Sequence, residues 1–149
     1  MIVIQEGNLL DAKECILCHQ VNCQNRMGSG VAKALTTRWP EVKKNYHAFC
    51  DGNQPAQLHG CVQVIRVSDN KFVANIFGQL SFGYDGKLYT DYQALDQAFG
   101  TLAAMTSSSL AFPYGFGCGL GGGDWNTVYA LIEKHFSDRA VTIYKLPGG

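Results

Sequence analysis

A chain of 149 residues with 46% hydrophobic and 16% charged side chains has the size and composition of one globular domain with a full core. Its 12 Lys and Arg balance 12 Asp and Glu, so the broad basic face that nonspecific nucleic-acid binding requires is absent and nucleic acid is not an expected partner. No stretch approaches a membrane span, and Met1-Ile2-Val3-Ile4-Gln5-Glu6 lacks the basic segment and apolar run of a secretion signal, so the expectation is a soluble, cytoplasmic, single domain over residues 1–149.

Met1 to Glu6, bounded by Gly7-Asn8, predicts a short strand. Glu14 to Asn22 is a second, and its near-continuous apolarity suits burial on both faces; both strands are expected in one covered sheet. Val31, Ala32, Ala34 and Leu35 recur at helical spacing between Gly30 and Arg38, and Pro40 marks a boundary. A helix over Glu41 to Cys50 carries Val42, Tyr46 and Phe49 on one side, and Asp51 to Pro55 reads as a loop. Leu58 to Val67 and Lys71 to Phe77 predict a hairpin turned by Ser68-Asp69-Asn70, which makes the sheet mixed. Phe82 to Lys87 is a loop, Asp91 to Thr106 a helix with Tyr92, Leu95, Phe99, Leu102 and Ala103 apolar, and Leu110 to Phe112 a strand. Asp124 is a good N-cap for a helix to Phe136 that turns Trp125, Val128, Leu131 and Ile132 inward; Ala140 to Leu146 closes the chain ahead of a tail, Pro147-Gly148-Gly149. Strands alternating with helices, plus one hairpin, predict a three-layer α/β/α domain, in which ligands sit at the carboxyl ends of the strands.

Two glycine loops fall at those ends. Phe112 to Trp125 holds six glycines in fourteen residues, and Met27-Gly28-Ser29-Gly30-Val31-Ala32-Lys33 follows the earlier strand. Glycine lets the main chain approach a ligand, and N–H groups ahead of a helix form an anion site. Each loop has a plain structural reading as well: helix–sheet packing for Gly28 and Gly30, a flexible connector for Gly121-Gly122-Gly123. Two such loops at one sheet edge favour a ligand. A dinucleotide fingerprint fails because Lys33 stands at the third glycine position, and no Gly-Lys-Ser/Thr triplet exists for a Walker A loop.

Asn22-Cys23-Gln24-Asn25 brings carboxamides that both donate and accept, as ribose hydroxyls require. His19, within a strand, reads first as a hydrogen-bonded core histidine and second as a catalytic group. The six cysteines, Cys15, Cys18, Cys23, Cys50, Cys61 and Cys118, lie mostly in apolar runs and are expected reduced and buried. Cys15 and Cys18 have metal or redox spacing, but within a strand they would point to opposite faces, so no metal is expected.

In order along the chain, Gly7-Asn8-Leu9-Leu10, His19-Gln20-Val21-Asn22-Cys23-Gln24, Met27-Gly28-Ser29-Gly30-Val31-Ala32 and Tyr114-Gly115-Phe116-Gly117-Cys118-Gly119-Leu120 resemble the macro domain family. The resemblance covers nearly the whole chain and is nearest to the small stand-alone branch of ADP-ribose 1″-phosphate phosphatases and terminal ADP-ribose protein glycohydrolases. It implies a mixed six-stranded sheet between helices and ADP-ribose across the strand ends. Gly7, Asn8 and Leu9 would meet adenine; Asn22, Cys23, Gln24 and Met27 to Val31 the distal ribose and a phosphate; Tyr114 to Leu120 the pyrophosphate. Asn8 replaces an aspartate common in the family, which implies weaker adenine selection. The glycohydrolase lysine is missing from Asn75-Ile76-Phe77-Gly78-Gln79-Leu80, and Gly121 stands where the catalytic aspartate would be. The expected function is ADP-ribose binding with hydrolysis of a group at C1″, Asp124 being the first candidate base, with Asn22 and His19 behind it; the competing class is a non-catalytic ADP-ribose reader. Expected partners are ADP-ribose, its 1″-derivatives and ADP-ribosylated protein, with no cofactor and a monomeric chain.

Overall fold

A computed structural model describes residues 1–147; the predicted Gly148-Gly149 end of the tail lies outside the described residues. The strands are β1 (Ile2–Glu6), β2 (Ile16–Asn22), β3 (Val62–Ser68), β4 (Lys71–Gln79), β5 (Leu110–Pro113) and β6 (Val141–Lys145). The helices are α1 (Gly30–Arg38), α2 (Pro40–Asp51), α3 (Pro55–Leu58), α4 (Tyr92–Met105) and α5 (Trp125–Phe136). The sheet runs β1-β6-β5-β2-β4-β3, all neighbours parallel except the β3–β4 hairpin, so the expected mixed six-stranded α/β sheet is present.

The two-residue alternation of β2 and β4 divides the core into two halves. Leu17, Val21, Val73 and Phe77 pack with Leu35 of α1 and Val42 and Tyr46 of α2, while Cys18, Ala74 and Ile76 pack with Leu95, Phe99 and Leu102 of α4 and Val128, Ile132 and Phe136 of α5. Helices thus cover both faces of the central strands and leave their carboxyl ends open.

Several boundaries differ from the sequence reading. Leu58 ends the short helix α3 and the strand predicted to start there begins at Val62, because the Gln54–Gln57 capping box and Pro55 start a helical turn in what reads as a loop. Asn8 caps a 3-10 turn, Leu9–Asp11, that has too few residues to show a period. The first strand is largely uncovered: β1 is an edge on which Val3 and Ile4 are exposed, and of its residues Ile2 alone packs against the core. Val31 and Ala34 of α1 are also exposed, leaving Leu35 as the buried contact of that helix. Cys15 lies just before β2, with Cys18 inside it; all six cysteines are free, Cys18, Cys23 and Cys50 buried and Cys15, Cys61 and Cys118 partly so.

Glu14 ties the start of β2 to β6. Its buried carboxylate accepts from the Thr142 hydroxyl at 2.8 Å and the Tyr144 hydroxyl at 2.5 Å. Burial alone would raise its pKa, but the two hydroxyls, its own N–H and Lys13 together hold it below the ordinary carboxylate value. A depressed folded-state pKa stabilises fully above the unfolded value and is lost as pH falls through the folded one. Thermal melts of wild type and Glu14→Gln across pH 2–7 should therefore show a wild-type advantage at neutral pH that shrinks on acidification through about pH 4. A constant difference over that range would mean that ionised Glu14 does not stabilise the fold.

Candidate ligand-binding cleft

The open carboxyl edge holds a cleft of about 610 Å³, within the range of small-molecule sites. Its floor is the end of β2, from His19 to Asn22, with Gln79 of β4. One wall is the segment from Arg26 to Ala32, which opens α1; the opposite wall is the glycine loop after β5; Phe82, Gly83 and Tyr84 close a third side. Both glycine loops thus face one space, as expected from their place at the strand ends.

Asn22 is locked into the first wall. Its Nδ2 donates to the Arg26 carbonyl at 2.8 Å, and its Oδ1 accepts from the Gln24 N–H at 2.9 Å and the Tyr46 hydroxyl at 3.1 Å. Gln24 Nε2 donates to the Leu80 carbonyl at 2.9 Å, and Asn25 takes a positive φ of 61°. Ser29 is the N-cap residue of α1 without capping it through its side chain; instead its hydroxyl meets the Tyr84 hydroxyl across the cleft at 3.2 Å. The first turn of α1 therefore has no side-chain cap, and Gly30, Val31 and Ala32, which form it, line the cleft at the positive end of the helix dipole.

In the second wall, Phe116, Cys118, Gly122 and Gly123 donate their N–H groups to the carbonyls of Pro113, Gly115, Gly119 and Gly117 at 2.7–3.1 Å. Gly115, Gly117 and Gly122 have φ of 77°, 74° and 72°, in the left-handed region that other residues avoid. The turns leave the intervening N–H groups of Gly115, Gly117 and Gly119 without a main-chain partner among the described residues. Gly121-Gly122-Gly123 is no flexible connector. The Gly121 carbonyl accepts from the N–H groups of Tyr89 at 2.7 Å and Thr90 at 2.9 Å, and the Thr90 hydroxyl donates to the Gly117 carbonyl at 2.6 Å. A Cβ on Gly121 would lie 2.5 Å from Thr90 Oγ1 and 2.7 Å from that carbonyl, so the aspartate implied here by the resemblance has no room.

Of the residues singled out in the sequence, Asn22, His19, Met27 to Val31, Tyr114 to Gly117, Gly119 and Leu120 line the cleft. Gly7, Asn8 and Leu9 occupy the same carboxyl edge, beyond β6, but do not line it. Gln24, Cys23 and Cys118 do not line the cleft. Burial, with Cys50 and Cys61 nearby, pushes the Cys23 thiol up to about 12; it lies 3.9 Å from His59 Nδ1, whose Nε2 pairs with Asp91 at 2.8 Å. Cys118 donates to the Phe116 carbonyl at 3.3 Å. Asp124 is outside the lining too: one carboxylate oxygen caps α5, accepting from the Thr127 N–H at 3.0 Å and its hydroxyl at 2.9 Å. His19 is buried, and burial drives its imidazole down to about 4 against a smaller upward pull from Asn75, so it is neutral at physiological pH. The sequence reading missed Gln20, Arg26, Gln79 and the Phe82–Tyr84 side. Arg26 alone carried a signal, a cation one residue before a glycine loop.

No family model matches the sequence. Among curated proteins, the chain is 22% identical over 174 residues to ADP-ribose 1''-phosphate phosphatase of Saccharomyces cerevisiae, covering 97% of this chain and 98% of that one. It is 29% identical over 154 residues to DNA ADP-ribosyl glycohydrolase of Mycobacterium tuberculosis, covering all of this chain but only 43% of that protein. The solved macrodomain of Mycobacterium tuberculosis DarG superposes with a TM-score of 0.82 at 25% identity over 97% of each chain. This chain folds as a macro domain. The four motifs that resemble the family all fall at the carboxyl edge where this macro domain opens its cleft, or beside it.

Glycines in the two walls should respond differently to a methyl group. Gly121→Ala is expected to lower stability by about 1–3 kcal/mol through overpacking, whereas Gly28→Ala, whose Cβ would meet nothing within 4 Å, should stay within about 0.5 kcal/mol of wild type. Urea unfolding of both variants checks this, and equal losses would refute the tight clasp at Gly121.

Proposed function

We propose that this macro domain binds ADP-ribose in the cleft and hydrolyses a group carried on C1″ of the distal ribose. The observation that carries the reading is a cleft walled by two glycine loops and a helix N-terminus, in a chain similar over nearly its full length to a phosphatase named for ADP-ribose 1''-phosphate. The relative named as a DNA ADP-ribosyl glycohydrolase supports the same ligand. Main-chain N–H groups of both loops hold the pyrophosphate, with Arg26 as the cation beside them, which is how a chain of zero net charge retains a doubly charged ligand. Gly7 to Leu9, at the same sheet edge, takes the adenine. Cys23, Gln24 and Cys118 act indirectly, by holding the walls in place, Gln24 through the Leu80 carbonyl and Cys118 through the Phe116 carbonyl.

Hydrolysis in this reading proceeds by orientation. The walls fix the distal ribose with a water in line with the scissile bond; water oxygen bonds to the electrophilic centre, the leaving group departs with its electron pair, and a substrate phosphate oxygen takes the water proton. Asn22 contributes by fixing the wall, since both ends of its amide are engaged. Asp124 is a helix cap in this scheme. The non-catalytic reader is the second reading, favoured by the finding that no carboxylate lines the cleft among the described residues.

Calorimetry should show ADP-ribose binding at least tenfold more tightly than AMP, and equal affinities would remove the distal ribose from the site. Incubation with ADP-ribose 1″-phosphate, with ADP-ribosylated protein and with ADP-ribosylated DNA then separates hydrolase from reader, because turnover of none of the three leaves the reader. For any substrate turned over, Asp124→Ala should lose about 1 kcal/mol of stability as a missing cap while keeping its rate per folded molecule. A rate loss beyond tenfold would instead make Asp124 the base.

A further inference from the structure

We propose that Asn25 is a positioning residue of the cleft: its side chain, bonded to α2, fixes the turn that carries Arg26 to the ligand, an assignment that rests on the ADP-ribose reading above. Asn25 is the one residue other than glycine with a positive φ among the described residues, at 61°. A left-handed main chain is unfavourable for an L residue, and asparagine is among the few that adopt it. Where it persists, surrounding groups hold it in place.

Those groups sit on α2. His47 and Asp51 are four residues apart on that helix, so their side chains reach the same side of it. Asn25 Nδ2 donates to Asp51 Oδ1 at 2.9 Å, and His47 Nδ1 bonds to Asn25 Oδ1. An ionised carboxylate can only accept, so the amide nitrogen faces Asp51 and the amide oxygen faces the histidine. His47 Nδ1 must then be a protonated ring nitrogen. Asparagine holds both partners at once because it carries a donor and an acceptor on one short stem.

The consequence falls one residue further on. Asn22 Nδ2 donates to the Arg26 carbonyl at 2.8 Å, and Tyr46, beside His47 on α2, donates to the Asn22 carbonyl at 2.8 Å. The peptide between Asn25 and Arg26 is therefore held from both sides, by the Asn25 side chain and by Asn22. Arg26 is exposed, and it is the one Lys or Arg in the cleft lining among the described residues. A long cationic side chain loses less freedom on meeting an anion when its main chain is already fixed. Glycine at position 25 would accept the same φ but would leave the turn untied from α2.

Asn25→Gly thus separates the side chain from the main-chain conformation. Calorimetry should show this variant binding ADP-ribose about tenfold more weakly than wild type, and Arg26→Met losing about tenfold through the missing cation. The double variant should be no more than about twofold weaker than Arg26→Met alone, because the turn acts through the arginine. Wild-type affinity should also fall with salt more steeply than that of either single variant. Losses that multiply in the double variant, or an Asn25→Gly chain that keeps wild-type affinity or wild-type salt dependence, overturn the positioning role; urea unfolding of each variant ensures that folded protein is compared. Nitrogen NMR of the full chain with labelled histidine tests the tie to α2 without substitution or ligand: His47 Nδ1 should carry a proton, and a bare Nδ1 overturns the bond to Asn25. A wild-type chain with that proton in place that binds no ADP-ribose brings down the functional reading, and the assignment of Arg26 to that ligand with it.

Discussion

The cleft depends on one main-chain clasp. The Gly121 carbonyl takes the N–H groups of Tyr89 and Thr90, and Thr90 passes its hydroxyl proton to Gly117 while holding Gln20. Those few bonds join the loop after β5, the segment after β4 and the end of β2, three parts of the chain that share no sequence neighbourhood. Glycine is required at the junction because any side chain would strike the groups that make it, and a Cβ on Gly122 would come within 2.5 Å of the Lys87 carbonyl as well. Rigidity is the result. A loop with six glycines would pay heavily in entropy to bind an anion if it were free, and the clasp orders it beforehand.

The same clasp bears on chemistry. A carboxylate directly after Gly119-Leu120 would stand at Gly121, and the space there is already filled by Thr90 and by the chain itself. The nearest acid along the chain, Asp124, is drawn off to the start of α5 by the Thr127 N–H and hydroxyl. What remains around the cleft is a set of main-chain donors, Arg26 and a neutral histidine, with no carboxylate in the lining among the described residues.

The layer order, the hairpin and the placing of both glycine loops were legible because they rest on periodicity and on glycine, signals that act within a few residues. The short helix from Pro55 escaped because one turn shows no period, and the exposure of β1 escaped because coverage depends on where helices pack, not on the strand's own residues. Within the cleft, residues that carry a local signature were found: Asn22, and Met27 to Val31. Gln20, Gln79 and Phe82 to Tyr84 carry none; an amide on an apolar strand and an aromatic in a polar loop become cleft residues only through the β2–β4 pairing and the clasp. Asp124 is the opposite case. Its cap signature was read correctly, and the cap is what holds its carboxylate away from the cleft.

Polarity along the cleft follows from topology more than from charge. At the carboxyl end of a parallel strand the side chains of successive residues diverge to the two faces, so His19 and Gln20 reach different partners and are each bound from one side only. Asn75 and Gln63 stand beside His19 in register on β4 and β3, and the relay they form runs outward to a carbonyl of α2. Its direction is fixed at the far end, by a group that cannot donate, and every amide between must follow. A histidine in a strand is ambiguous by itself, because either nitrogen can hold the proton. Here the ambiguity is removed by a helix on the outer side of the sheet: Gln63 donates to the Asn45 carbonyl and accepts from Asn75, whose Oδ1 then faces His19 Nε2, and a substitution at Gln63 or Asn75, neither of them in the cleft lining, would release the histidine tautomer.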